Sequence, residues 1–255
     1  MENNPTPPEQ DSDFYFADHL ILDNSLTRAF YKNLLQGLIH KNNNTLGVIQ
    51  GFATLISMED GLDKEMRENI EHMRQSITNS SELAKVILTA GGCANVEPEP
   101  VDISVMLPYI KQTSQAICEK AGATLQFNQN GPLPPILADT SRFQELIREL
   151  MKNAAEATVE SGQGEVVVDI LPPGSLSPSE TNRIDIFVRN TCKDIEPGNL
   201  EKVFHPFHTT KDNRHYGIGL TTAGVLAGQM KMRLGLRSSE GTTTTWLSIP
   251  IAPSS

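Results

Sequence analysis

From about residue 20 to 58, apolar side chains recur at helical spacing, with Leu35, Ile39, Leu46, Ile49, Ala53 and Ile56 on one stripe. Glu59-Asp60-Gly61 interrupts the pattern. A second stripe follows with a heptad-like seam: Met66, Ile70, Met73, Ile77, Ala84 and Ile87. Two long amphipathic helices joined by a short turn predict an antiparallel hairpin. A lone hairpin has a stripe to bury and little core. Two of them close a four-helix bundle, so the pattern predicts a homodimer through the helical hairpin.

Gly91-Gly92 ends the second helix, and Glu97-Pro98-Glu99-Pro100 reads as a linker. Beyond it the periods alternate. Short strands are expected at Val101–Ser104 and Ala123–Gln129, with a helix over 105–121 between them. Asp139 and Thr140 are N-cap candidates for a helix running to about Glu160. Glu165–Leu171 and Arg183–Asn190 read as strands, Ile218–Gln229 as a helix, and Met232–Ser238 and Thr243–Pro250 as two last strands. This order predicts an α+β chain: the hairpin, then an α/β two-layer sandwich and not a doubly wound sheet. The expected domains are a disordered tail over 1–19, the hairpin over 20–96 and the sandwich over 97–255. The tail is expected because its residues are polar and proline-rich.

Charge and composition narrow the function. A net charge of -10 argues against binding nucleic acid through its phosphates, which needs a basic surface. The three cysteines, Cys93, Cys118 and Cys192, have no metal-type spacing and read as reduced thiols. The N-terminus lacks the basic-then-apolar pattern of a signal peptide. The longest nearly apolar run, Leu46–Ile56, is too short to span a bilayer. The expectation is a cytoplasmic protein without a membrane segment. Residues 1–24 are too short and polar for a sensor domain, so the input signal is expected from a partner protein.

The chemistry concentrates in four segments. His40 opens His40-Lys41-Asn42-Asn43-Asn44-Thr45-Leu46, beside the apolar stripe, with Asn44 one turn on along the same face. A neutral imidazole nitrogen is a competent nucleophile toward a phosphoryl group. Asn153 lies in Glu149-Leu150-Met151-Lys152-Asn153-Ala154-Ala155-Glu156-Ala157, mid-helix, where asparagine is unfavourable by propensity. Its amide oxygen suits Mg²⁺, which takes few protein oxygens beside phosphates and water. Glu149 lies one turn earlier. Phe204-His205-Pro206-Phe207-His208-Thr209-Thr210-Lys211 ends in a cation, and Gly217-Ile218-Gly219-Leu220 opens a helix whose N-terminal amides suit anionic phosphates.

In this order and spacing, over roughly residues 30 to 250, the segments resemble the two-component sensor histidine kinases. The resemblance implies the histidine-kinase-like ATPase fold, ATP and Mg²⁺ as cofactors and a response-regulator receiver domain as partner. It implies autophosphorylation of His40 and transfer onward to an aspartate. Asn44 then helps position water for dephosphorylation of the partner, and Glu149 orients or deprotonates the attacking group. The cofactor residues are Asn153 (holding the metal), Asn190, Lys211, Gly217, Gly219 and Leu220.

Two departures bear on ATP use. Family members carry an acidic residue after the histidine, where this chain has Lys41. They also carry Asp-x-Gly-x-Gly at a strand end, where this chain has Asn190, Cys192 and Asp194. An asparagine can read adenine, accepting from the exocyclic amine and donating to a ring nitrogen. The bulk of Cys192 and the charge of Asp194 leave open an alternative: an ATP-independent histidine phosphotransferase or pseudokinase that relays phosphate between receiver domains.

Overall fold

The computed structural model describes residues 14–20, 25–160, 164–174, 182–211 and 216–253. They form two compact units, residues 22–94 and residues 1–21 with 95–255.

The first unit is a helical hairpin of α1 (Ser25–Ser57) and α2 (Lys64–Ala90). The turn between them contains Gly61 at φ 92° and ends at Asp63, whose carboxylate accepts from the Met66 amide at 2.7 Å to cap α2. Ile39 and Ala53 of α1 and Ile70, Ile77 and Ala84 of α2 are buried between the helices. Gly91 stops α2 where a side chain would collide with Leu35.

The second unit holds a six-stranded sheet in the order β1-β7-β8-β6-β5-β3 and a two-stranded β2-β4 ribbon. The strands are β1 (Tyr15–Phe16), β2 (Glu99–Val101), β3 (Thr124–Gln129), β4 (Ile136–Ala138), β5 (Glu165–Leu171), β6 (Arg183–Thr191), β7 (Arg233–Ser239) and β8 (Thr242–Pro250). Among the described strands only β3 and β5 pair in parallel. The helices are α3 (Ile103–Ala121), α4 (Thr140–Glu160), the single turn α5 (Pro197–Leu200) and α6 (Gly219–Gln229). Leu107 and Ile110 of α3 and Ile147 and Met151 of α4 face Val168, Ile170, Ile186 and Val188 of the sheet across a narrow apolar gap. This is a mixed sheet covered by helices on one face, the two-layer sandwich expected from the sequence.

Asp139 caps α4. Its Oδ1 accepts from the amides of Ser141 and Arg142, both at 3.1 Å, and its Oδ2 accepts from the Glu97 amide at 3.1 Å. Burial pushes its carboxyl up, but these bonds together outweigh burial and hold it below the usual value. The cap fixes where α4 starts and so the register of every α4 residue discussed below.

The sequence reading differs from the structure in four places. Residues 14–19, expected in a disordered tail, and Leu20, expected in the hairpin, form β1 and a short 3₁₀ turn, Asp18–Leu20, packed on the sandwich. Two strand residues are too few for a period to emerge, and the stabilising contacts are distant in sequence. The strand expected over Val101–Ser104 ends at Val101, because Asp102 accepts from the Ser104 amide at 2.9 Å and starts α3 one residue later. β4 and α5 were too short to leave a periodic signal.

Candidate functional site

On α1, His40 is exposed one residue beyond buried Ile39. The Asn44 Nδ2 lies 3.4 Å from the His40 Nε2, at the long limit of a hydrogen bond. Lys41 is exposed, and its carbonyl accepts from the Thr45 hydroxyl at 3.2 Å.

In the sandwich, one face of α4 carries Glu149, Asn153 and Glu156, each about one turn from the next. Glu149 takes a bond from Lys152 at 3.1 Å. Its other oxygen sits 3.1 Å from where a Cβ on Gly219 would lie. A carboxylate thus rests against the first residue of α6, where the helix dipole favours negative charge. Asn153 is half-buried between the two acidic residues. Glu156 accepts from the Lys211 Nζ at 2.7 Å.

The glycines have local reasons to be glycine. Gly217 has φ 64°, and a Cβ there would come within 2.6 Å of the His208 carbonyl oxygen and 2.9 Å of the Phe207 carbonyl carbon. The Thr221 hydroxyl donates to the Phe204 carbonyl at 2.9 Å. Together these hold the start of α6, with Leu220 in its first turn, against the 204–211 segment. Glu149, Asn153, Glu156, Lys211, Gly217, Gly219 and Leu220 are thus gathered by α4, α6 and the segment before it. Residues 212–215 lie outside the described residues.

Asn190 stands near the end of β6, in register with Thr243 of β8 and Val166 of β5. By strand alternation it shares the helix-covered face with Ile186 and Val188. It is 4% exposed, and its Nδ2 is buried with no hydrogen-bond partner among the described residues. A buried donor without a partner costs about 1–3 kcal/mol. A ligand with an acceptor there recovers that cost.

Cys192 and Asp194 have structural duties. The Cys192 Sγ lies 3.0 Å from the Thr243 hydroxyl, which donates on to Ser238 at 3.0 Å. The Asp194 carboxylate accepts from the Gly241 amide at 2.8 Å, capping the β7–β8 turn. The Asp194 charge is therefore tied to that turn. All three cysteines are free and buried. Desolvation pushes the Cys118 thiol up to about 11, with Glu119 adding to it, and burial raises Cys93 against the pull of Lys32. Among the described residues no group of three or more His, Cys, Asp or Glu side chains that could hold a metal ion occurs.

Sequence reasoning passed over two residues. Glu156 shares the Asn153 face, a signal legible in the helix period, but its partner is distant in the chain. Thr222 has a buried hydroxyl without a partner among the described residues, which no local pattern announces.

Residues 138–253 match the family of histidine kinase-, DNA gyrase B-, and HSP90-like ATPases. The sensor histidine kinase ZraS of Salmonella typhi is 24% identical over 220 residues, 85% of this chain and 45% of ZraS. The sensory histidine kinase/phosphatase NtrB of Rhodobacter capsulatus is 24% identical over 226 residues, 85% of this chain and 61% of NtrB. The chain thus spans about half the length of these relatives. Among solved structures, full-length ShkA in complex with AMPPNP shares the fold at a TM-score of 0.69, with 22% identity over 87% of this chain and 47% of ShkA. The histidine kinase ThkA in complex with the response regulator TrrA does so at 0.56, with 17% identity over 89% of this chain and 64% of ThkA. An ATPase domain of the histidine kinase-, DNA gyrase B-, and HSP90-like kind follows the helical hairpin, and the chain is similar to sensor histidine kinases along most of its length.

Proposed function

We propose that this chain is an ATP-dependent protein-histidine kinase that phosphorylates His40 and passes the phosphoryl group to an aspartate of a response-regulator receiver domain. The observation that carries ATP use is the buried, unpartnered amide nitrogen of Asn190. It lies at the strand end where the family reads adenine, and Cys192 and Asp194, the bulky replacements beside it, are drawn off to Thr243 and Gly241. Bound ATP and Mg²⁺ supply the phosphoryl group and neutralise its charge. The residues fit that role. Asn190 donates to an adenine ring nitrogen and accepts from its amine. Asn153, flanked by Glu149 and Glu156, offers an oxygen to the metal. Lys211 brings a cation to the same helix face, and the amides at Gly219 and Leu220 would be available to hold the phosphates. Glu149 orients or deprotonates the attacking imidazole, and Asn44 orients the His40 ring.

The hairpin is proposed to dimerise. Its exposed apolar row on α1 supports this: Leu34, Leu38, Val48, Phe52 and Leu55 are left uncovered in a single chain. No described helix is long and apolar enough to cross a membrane.

A second reading, the ATP-independent phosphotransferase, draws on two observations. Lys211 is already paired with Glu156, and Gly217 is needed for packing alone, so neither requires nucleotide to explain it. Calorimetric titration with Mg-ATP separates the two. The kinase reading expects binding in the wild type and a loss of about tenfold or more in Asn190→Leu, the fold-change for about 1.4 kcal/mol. No binding by the wild type overturns it in favour of the phosphotransferase, and wild-type binding that Asn190→Leu leaves unchanged overturns the role given to Asn190.

A further inference from the structure

A second, smaller core lies on the sheet face turned away from the helices. Phe14, Leu171, Phe187 and Trp246 bury one another there, with Phe16 packed at the margin. The rings of Phe14 and Phe16 meet the indole edge-on at 5.3 and 5.9 Å, and Phe187 stacks on it at 6.2 Å. Arg237 lies 5.2 Å over the Phe14 ring and Arg233 4.4 Å over the Phe16 ring. Two of these aromatics thus come from the segment just before α1. That segment pairs Tyr15 with Leu236 and Phe16 with Gly235, and the Ala17 amide donates to the Leu234 carbonyl at 3.0 Å.

Two glycines make room for it. A Cβ on Gly235 would meet the Phe16 ring at 3.0 Å and the Phe14 Cβ at 3.2 Å. A Cβ on Gly224, inside α6, would come within 2.7 Å of the Leu20 Cδ1 and 2.8 Å of the Ala17 Cβ. Glycine inside a helix is unfavourable by propensity, so its presence at 224 needs a reason, and the segment's close approach is one. The seat is on the same helix that opens at Gly219.

Connectivity gives the seat a consequence. The segment ends at Leu20, α1 begins at Ser25 and carries His40, and the chain returns to the second unit at Asn95. The hairpin is therefore an insertion attached by both ends to the unit that holds Asn190 and Asn153. We propose that Phe14–Leu20 is an anchoring strap, a positioning element that keeps the N-terminal end of the histidine helix attached to the nucleotide unit and thereby speeds transfer to His40. The inference rests on the kinase reading above. A second tether narrows the volume His40 searches and raises its effective concentration at the nucleotide. It acts on the rate of transfer and leaves nucleotide affinity alone.

Trp246 is the sole tryptophan, so its emission reports the strap directly. Two variants loosen it differently. Phe14→Ala with Phe16→Ala removes the anchors, and Gly224→Ala fills the seat while keeping the strap intact and placing a better helix former in α6. Both are expected to red-shift Trp246 emission and expose it to acrylamide. Both are expected to keep Mg-ATP affinity within about twofold while slowing γ-label incorporation into His40 by about fivefold or more. Unchanged emission in both variants overturns the docked strap. Shifted emission with an unchanged labelling rate overturns its positioning role and leaves a cover for the β7 edge. A wild-type chain that binds no ATP and takes no label overturns the kinase reading, and the strap's role with it, whatever Trp246 does.

Discussion

The sandwich and the hairpin bury the same kinds of residue to very different extents. In the sandwich, Phe143, Leu146, Leu150, Met151 and Ile184 are sealed within one chain. In the hairpin, α1 carries two apolar rows. Ile39 and Ala53 are buried against α2, but Leu38 and Phe52 of the other row stay 60% and 62% exposed. That exposed row keeps a heptad register. Tyr31, Leu38 and Phe52 share one position, and Leu34, Val48 and Leu55 share another. Next to His40 the same rows are filled by Lys41 and Thr45, so the seam turns polar around the proposed phosphoacceptor. A sandwich that completes its own core is built to hold a ligand in fixed geometry. A hairpin that leaves a seam open fits the dimer proposed above.

The largest test of this contrast is Leu38→Asp with Phe52→Asp. Losing two buried apolar contacts costs about 4 kcal/mol, which raises the dimer dissociation constant about a thousandfold. Light scattering after gel filtration should show monomer, with Trp246 emission unchanged. A dimer that survives breaks the comparison. Next comes Leu146→Ala, a fully buried α4 residue. It should cost the sandwich about 3 kcal/mol in urea unfolding followed at Trp246, while the dimer persists.

Removing the α4 cap with Asp139→Ala should cost about 1 kcal/mol near neutral pH. Its pH dependence follows from the depressed carboxyl. The hydrogen-bonded carboxylate stabilises the sandwich above the ordinary value of 3.8, and that contribution is lost as the pH falls through the lower folded value. Acid titration of Trp246 emission should therefore be less steep below pH 3.8 in Asp139→Asn than in the wild type. The smallest effect is expected for Glu156→Gln. The pair with Lys211 is only partly buried and contributes about 1 kcal/mol or less to stability. A thermal scan that shows a larger loss would make the pair a structural pillar of the sandwich.

What could be read from the sequence tracked the length of the elements. α1, α2 and α4 are long enough for the 3.6-residue period to speak, and the strands of the main sheet carry β-branched runs bounded by turn residues. Gly217-Ile218-Gly219-Leu220 was legible because its glycines and a following helix sit together in sequence. What escaped depended on contacts between distant residues. Phe14 and Phe16 look like two aromatics in a polar stretch until Trp246 and Arg233 are brought beneath them. Cys192 and Asp194 read as bulk and charge where the family carries glycines, yet their partners are Thr243 and Gly241 on another hairpin. Asn190 was visible as a departure from the family pattern. Its meaning came from burial, which left an amide donor without a partner.

The central claim is that Asn190 reads ATP and His40 receives its phosphoryl group. The most direct measurement incubates the purified protein with γ-labelled ATP and Mg²⁺, beside His40→Gln and Asn190→Leu. The account predicts acid-labile, alkali-stable label on the wild type, none on His40→Gln and a strong reduction on Asn190→Leu. Label that persists in His40→Gln, or a wild type that binds no nucleotide and takes no label, would contradict it.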